Sequence, residues 1–198
     1  MILPMRNKRC TTESLLSLID SLLAEKGRLL LAIEGGAGSG KTTLAADLAR
    51  RYGAAVFHMD DFFLRPAQRT PERLAEAGGN VDRERFLEEV LLPLHRSETV
   101  CHRRYNCATQ SLLAPAETPS APLTIVEGSY CMHPALAGYY DLSVFLQIPQ
   151  ELQRARILSR NGAEAAQRFF DLWIPMEERY FEATRAAERC NLILEVTP

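Results

Sequence analysis

Eight consecutive residues, Gly35, Gly36, Ala37, Gly38, Ser39, Gly40, Lys41 and Thr42, fit the pattern G-x-x-x-x-G-K-[ST]. The residue types suit one task, gripping a chain of phosphates. Glycines allow a sharp turn that brings backbone N–H groups close to phosphate oxygens. A helix opening at Lys41 adds unpaired N–H groups and the positive end of its dipole. Lys41 adds a point charge, and the Thr42 hydroxyl suits a hard cation such as Mg²⁺. With Thr43 included, the candidate nucleotide-binding run is Gly35 to Thr43.

Three acidic residues could complete such a site. Asp60 and Asp61 follow the apolar run 54–59, and Glu127 follows Leu123-Thr124-Ile125-Val126. Phosphoryl transfer needs a group that orients the attacking hydroxyl, a metal site and cations that offset developing charge. Asp60 or Asp61 could accept or orient the acceptor hydroxyl, and Asp60 is also placed in the metal's neighbourhood. Glu127 is assigned to the metal or its water shell. Arg156 and Arg160, four apart on one helical face, are set to reach over the phosphates, whereas Arg154 falls off that face.

These side chains need a scaffold. The apolar run 28–34 precedes the glycine loop, and Leu44, Ala45, Leu48 and Ala49 recur behind it at helical spacing. Strand, loop and helix form the context the motif requires. Further strands are predicted at 54–59, 123–126, 142–148 and 191–196. Helices are predicted at about 11–26, at 82–94, from Pro149 to Arg160 with a break at Asn161-Gly162, and from about 163 to 189 with an interruption near Pro175. Residues 64–80 read as a long functional loop, 98–113 as a hairpin candidate, and 115–122 as a surface connection.

Alternating strands and helices predict an α/β P-loop NTPase fold, three-layered, with a central, mostly parallel sheet. Ligands then gather at the carboxyl ends of the strands. Asp141 precedes its strand and is therefore read as a cap or turn residue at the opposite edge. Residues 1–198 are taken as one domain, with an N-terminal helix at about 11–26 and a lid at about 154–170.

Bulk properties narrow the function classes. A net charge of −2 over 198 residues argues against a broad basic face for nucleic acid. No stretch has the length of a membrane span, and Met1 to Cys10 lacks the apolar core of a signal peptide. The five cysteines form no C-x-x-C pair, which fits reduced thiols in a cytoplasmic protein. The four histidines show no metal-ligand spacing. Apolar residues on the terminal helices leave a homo-oligomer open.

The loop 35–42, His58-Met59-Asp60-Asp61-Phe62-Phe63, Ile125-Val126-Glu127-Gly128, and Asp141 to Leu146 followed by the arginine helix together resemble uridine kinases and their bacterial uridine kinase-like relatives. The likeness runs from about residue 28 to 160. It implies a kinase that uses ATP and Mg²⁺, with a nucleoside 5′-hydroxyl as acceptor and Asp60 as the catalytic aspartate. It also implies that Glu127 and Thr42 lie near Mg²⁺ and that Arg156 and Arg160 are lid arginines. Asp82 matches the family's ribose-binding aspartate, and Tyr105 the aromatic lining the base pocket.

Phe63, also on the acceptor side, stands where uridine kinases usually carry a tyrosine that contacts the base. No histidine occurs near Gln110, where the family often has one. Such losses bear on which acceptor is taken more than on phosphate chemistry. Kinases for pantothenate, a sugar phosphate or nicotinamide riboside are the rival readings within the class. A nucleotide-regulated binding protein is the rival outside it.

Overall fold

The computed structural model describes residues 7–197. Its centre is a parallel sheet built from β1 (Lys8–Cys10), β2 (Leu29–Gly35), β3 (Ala55–His58), β8 (Leu123–Glu127), β9 (Leu142–Gln147) and β10 (Leu192–Glu195), in the order β1-β10-β9-β2-β8-β3. Four short strands lie outside it. β4 (Val100–His102) pairs antiparallel with β7 (Ala116–Thr118), and β5 (Tyr105–Asn106) with β6 (Ser111–Leu112).

The sheet is covered on both sides, as a near-continuous apolar strand demands. Every residue of β2 is buried. Leu31 and Ile33 pack with Leu15, Ile19 and Leu22 of helix α1 (Thr12–Lys26) and with Ala45 and Leu48 of helix α2 (Lys41–Tyr52). Leu30 and Ala32 point the other way, toward Phe57, Met59, Phe62, Phe86 and Tyr180. The period-2 alternation of β2 thus splits one strand between two cores. Helix α1 is closed at both ends by its own sequence: Thr11 and Ser14 form a capping box, and Gly27 stops it in the left-handed region at φ +72°.

Strand order places the chemistry. β8 lies between β2 and β3, so Glu127 sits in register with Ile33 on one side and His58 on the other. The carboxyl ends of all three strands open on the same edge. Asp141 lies at the opposite edge, where its carboxylate accepts from Leu30 N at 2.9 Å and from Lys26 Nζ at 2.7 Å.

Several boundaries differ from the sequence expectation. β1 was not predicted; it is an edge strand of charged residues, defined only by pairing with β10. Residues 98–113 do form a hairpin, but its outer ladder extends to Thr118, into the stretch read as a surface connection. The loop at 64–80 carries a 3₁₀ turn (Pro66–Gln68) and a short helix (Pro71–Ala75). Pro175, read as an interruption, and Pro93, inside the helix expected at 82–94, share one form. Pro93 and Pro175 each follow a π-helical turn, Leu87–Leu91 and Phe169–Trp173. A proline ring excludes the carbonyl four residues back, and one wider turn accommodates that loss without ending the helix. The helix Gln150–Arg168 breaks at Gly162, whose φ and ψ are 76° and 166°.

Candidate active site

The loop after β2 wraps back over the sheet edge and delivers the chain into α2. Gly40 caps α2 with φ +96°, a conformation that side chains other than glycine resist. Lys41 is 9% exposed, and its Nζ donates to Gly36 O at 2.9 Å across the loop. Thr42 is exposed, and its hydroxyl donates to Glu127 Oε1 at 3.1 Å. The same Glu127 oxygen meets His58 Nδ1 at 2.5 Å. That hydrogen bond, with the carboxylates of Glu127 and Asp61, holds the His58 imidazolium above its usual pKa against the opposing effect of burial.

Asp60 lies in the 3₁₀ turn Met59–Phe62 that follows β3. It opens to the cleft, while the walls on its other sides withdraw bulk water. This desolvation raises its carboxyl above the usual range. Lys41 pulls the other way, and the nearby Glu127 charge adds to the rise. Asp61, in the same turn, is half-buried and stands outside the residues that line the cleft.

The cleft has a volume of about 810 Å³. The loop from Ala37 to Thr43, together with Asp60, Phe63, Glu127, Arg156 and Arg160, contributes to its wall. Arg156 reaches Gly38 O at 3.4 Å and Thr197 O at 3.3 Å. Arg160 bonds Asn161 and lies over the Phe169 ring, 5.7 Å from its centroid. Arg154 turns aside and stacks on Phe170 at 3.9 Å.

Asp82 and Tyr105 are not brought to this wall. Asp82 is 2% exposed and caps the helix Arg83–Phe86, accepting from Arg85 N at 3.2 Å and from Gln68 Nε2 at 2.9 Å. Tyr105 is 5% exposed, and its hydroxyl accepts from Arg69 Nη2 at 3.0 Å. Both side chains are engaged within the 64–105 segment.

Other side chains reach the loop without a sequence signal. Glu177, from the helix Ile174–Thr184, is buried and accepts from Ala37 N at 2.9 Å and from Ser129 Oγ at 2.6 Å. Gln153 Nε2 donates to Ala37 O at 2.8 Å. Glu34, directly before the loop, is fully buried. It accepts from Gly35 N, Tyr130 N, Met132 N and the Tyr180 hydroxyl. Burial drives its pKa up to about 7, although those donors and Lys41 favour the charged form.

The oxygen donors fit Mg²⁺. Thr42 and Glu127 present a hydroxyl and a carboxylate side by side, and a hard cation prefers oxygen ligands. Among the described residues there is no group of three or more His, Cys, Asp or Glu side chains that could hold a metal. Mg²⁺ in phosphoryl-transfer sites needs none, because it keeps waters and binds through one or two carboxylates plus substrate phosphates. No helix among the described residues is long and apolar enough to cross a membrane.

Comparison with known proteins bears on the same regions. The model of the phosphoribulokinase/uridine kinase family matches residues 30–169. The chain is 29% identical over 143 residues to a dephospho-CoA kinase of Rhodopseudomonas palustris (strain BisB18), covering 67% of this chain and 71% of that one. A possible uridine kinase from Bacillus stearothermophilus shares the fold, with a TM-score of 0.65 at 22% identity over 91% of this chain and 99% of that one. A candidate fructose transport system kinase from Silicibacter sp. TM1040 superposes with a TM-score of 0.64 at 26% identity, over 92% and 98%.

Proposed function

The chain belongs to the phosphoribulokinase/uridine kinase family, and we propose that it transfers the γ-phosphoryl group of ATP to a hydroxyl of a small molecule, with a nucleoside 5′-hydroxyl as the favoured acceptor. One observation carries this reading. Residues distant in sequence, Lys41, Thr42, Asp60, Glu127, Arg156 and Arg160, line a single cleft at the carboxyl edge of the sheet.

Each residue then has a task. The loop N–H groups and Lys41 hold the phosphates. Thr42 and Glu127 would hold Mg²⁺, which would offset charge on the phosphate oxygens. Asp60 accepts the proton of the acceptor hydroxyl, and its raised pKa makes it a better base than an ordinary surface aspartate. The acceptor oxygen forms its bond to the γ-phosphorus as the bond to the ADP oxygen breaks. Arg156 and Arg160 stabilise the charge that spreads over the transferring group. Closure of the helix carrying them excludes water and limits wasteful hydrolysis.

The test is an acceptor panel with ATP and Mg²⁺, read as phosphorylated product. Uridine or cytidine 5′-phosphate is the expected product. Phosphorylation of a non-nucleoside alone would remove the nucleoside assignment. Hydrolysis stimulated by a partner protein, with no phosphorylated small molecule, would remove the transfer reading itself.

A further inference from the structure

Both ends of the proposed lid, about 154–170, are tied to one residue of the phosphate loop. The Ala37 N–H donates to Glu177 Oε2 at 2.9 Å, and the Ala37 carbonyl accepts from Gln153 Nε2 at 2.8 Å. Gln153 lies in the helix Gln150–Arg168, where the chain enters the lid, and Glu177 in the helix Ile174–Thr184, where the chain leaves it. Both side chains are buried, at 8% and 7% exposure. The Ala37 side chain packs against a small apolar cluster of Ile157, Ala166 and Ile174, which the lid and its return helix supply. Ser129 Oγ lies 2.6 Å from the second oxygen of Glu177 and 2.9 Å from Gly35 O, so it joins the same knot.

The loop is shaped to admit these contacts. A Cβ at Gly36 would stand 2.9 Å from Gln153 Nε2 and 3.3 Å from Glu177 Oε2, and one at Gly38 would stand 3.2 Å from Ile157 Cγ1. Glycine on either side of Ala37 therefore lets two helices close on the loop backbone. Arg156 follows Gln153 by three residues, hence on the same helical face, and reaches Gly38 O at 3.4 Å. Gln153 itself stands outside the residues that line the cleft. Fastening the helix at Gln153 thus fixes where the Arg156 guanidinium hangs over the loop, and a cation helps transfer only where charge develops.

We propose that Gln153 is a positioning residue, which registers Arg156 against the phosphate loop by fastening its helix to Ala37, while Glu177 fastens the other end of the lid to the same residue. This rests on the phosphoryl-transfer reading and adds to it how the lid finds its place. Because one peptide segment carries both bonds, a phosphate chain that orders the loop also orders both roots of the lid.

The test compares wild type with Gln153→Met and Glu177→Gln, using the acceptor found by the panel above, ATP and Mg²⁺. Gln153→Met keeps the length of the side chain and removes its donor. Its kcat should fall roughly tenfold to a hundredfold, the order expected when a catalytic group is slightly misplaced. Acceptor KM and affinity for a non-hydrolysable ATP analogue should stay within about twofold, since no ground-state contact is lost. In an Arg156→Ala background the same substitution should lose most of its effect, because Gln153 acts through Arg156. Glu177→Gln keeps an oxygen for Ala37 N and a donor for Ser129 Oγ, so its kcat should stay near that of the wild type. Amide hydrogen exchange, read with the analogue and Mg²⁺ alone, needs no turnover. In the wild type the analogue should slow exchange in residues 35–43 and 153–174; in Gln153→Met the slowing should persist in 35–43 and largely vanish in 153–174. An equal fall of kcat in both backgrounds, an unmoved kcat, or full protection of 153–174 in Gln153→Met would overturn this inference and leave the transfer reading standing. A wild type that forms no phosphorylated product would remove the transfer reading, and the exchange result would then decide this inference by itself.

Discussion

Glu34 offers a pH experiment whose size follows from the structure. Its carboxyl is 0% exposed and receives three backbone N–H groups and one phenol. Burial lifts its pKa from 4.5 to about 7 in the folded chain. The folded state therefore holds the proton more tightly than the unfolded state does. Stability from this group is fully present below pH 4.5 and is lost as pH rises to about 7. At about 1.4 kcal/mol per pH unit, the loss is roughly 3 kcal/mol. Glu34→Gln does not titrate, so it abolishes this slope. Its single amide oxygen cannot satisfy four donors, which costs about 1–3 kcal/mol at every pH. Urea unfolding of both proteins at steps from pH 4.5 to 8 supplies the assay. The wild-type advantage should shrink by roughly 3 kcal/mol across that range, while Asp60 and Glu177 titrate in both proteins and cancel. Parallel pH profiles for the two proteins would refute the reasoning.

Two further outcomes concern the loop and its support. Glu177→Ala frees Ala37 N and Ser129 Oγ from their acceptor; ATP affinity should fall about threefold to tenfold, the worth of one ordinary hydrogen bond, by titration of a fluorescent ATP analogue. Gly79→Ala would place a methyl 1.8 Å from Arg73 O, so the backbone there must shift; thermal unfolding should show a loss of about 1–3 kcal/mol.

Much of the site could be read from local pattern, and the reason is topological. A strand-length apolar run followed by glycines and an amphipathic helix predicts its own geometry, so β2, the loop and α2 appear where their residues imply. Glu127 ends β8 and Asp60 lies in the turn just past β3, and in a parallel sheet the ends of such strands converge. The cleft therefore collects them. Glu177 carries no such mark. It lies about 140 residues beyond the loop it supports, on a helix whose course depends on the turn before Pro175. The segment from Asn80 to Asp82 is legible through the resemblance alone, which puts Asp82 on the acceptor side. Which of that segment's side chains lines the cleft depends on how it pairs with Phe62 to Leu64, and Asp82 is drawn into capping instead. β1 escaped notice because Lys8 and Arg9 show no apolar alternation; the strand exists through its pairing with β10 and the ion pair between Arg9 and Glu195.

The central claim is that Asp60 directs an alcohol toward phosphates held by the loop. Asp60→Asn keeps the shape of the side chain and removes its capacity to take a proton. Product formation and ATP-analogue binding, measured on the same preparation of this variant, test the claim most directly. Transfer should fall about 10²- to 10⁴-fold with analogue affinity nearly unchanged. A transfer rate equal to that of the wild type would contradict the account.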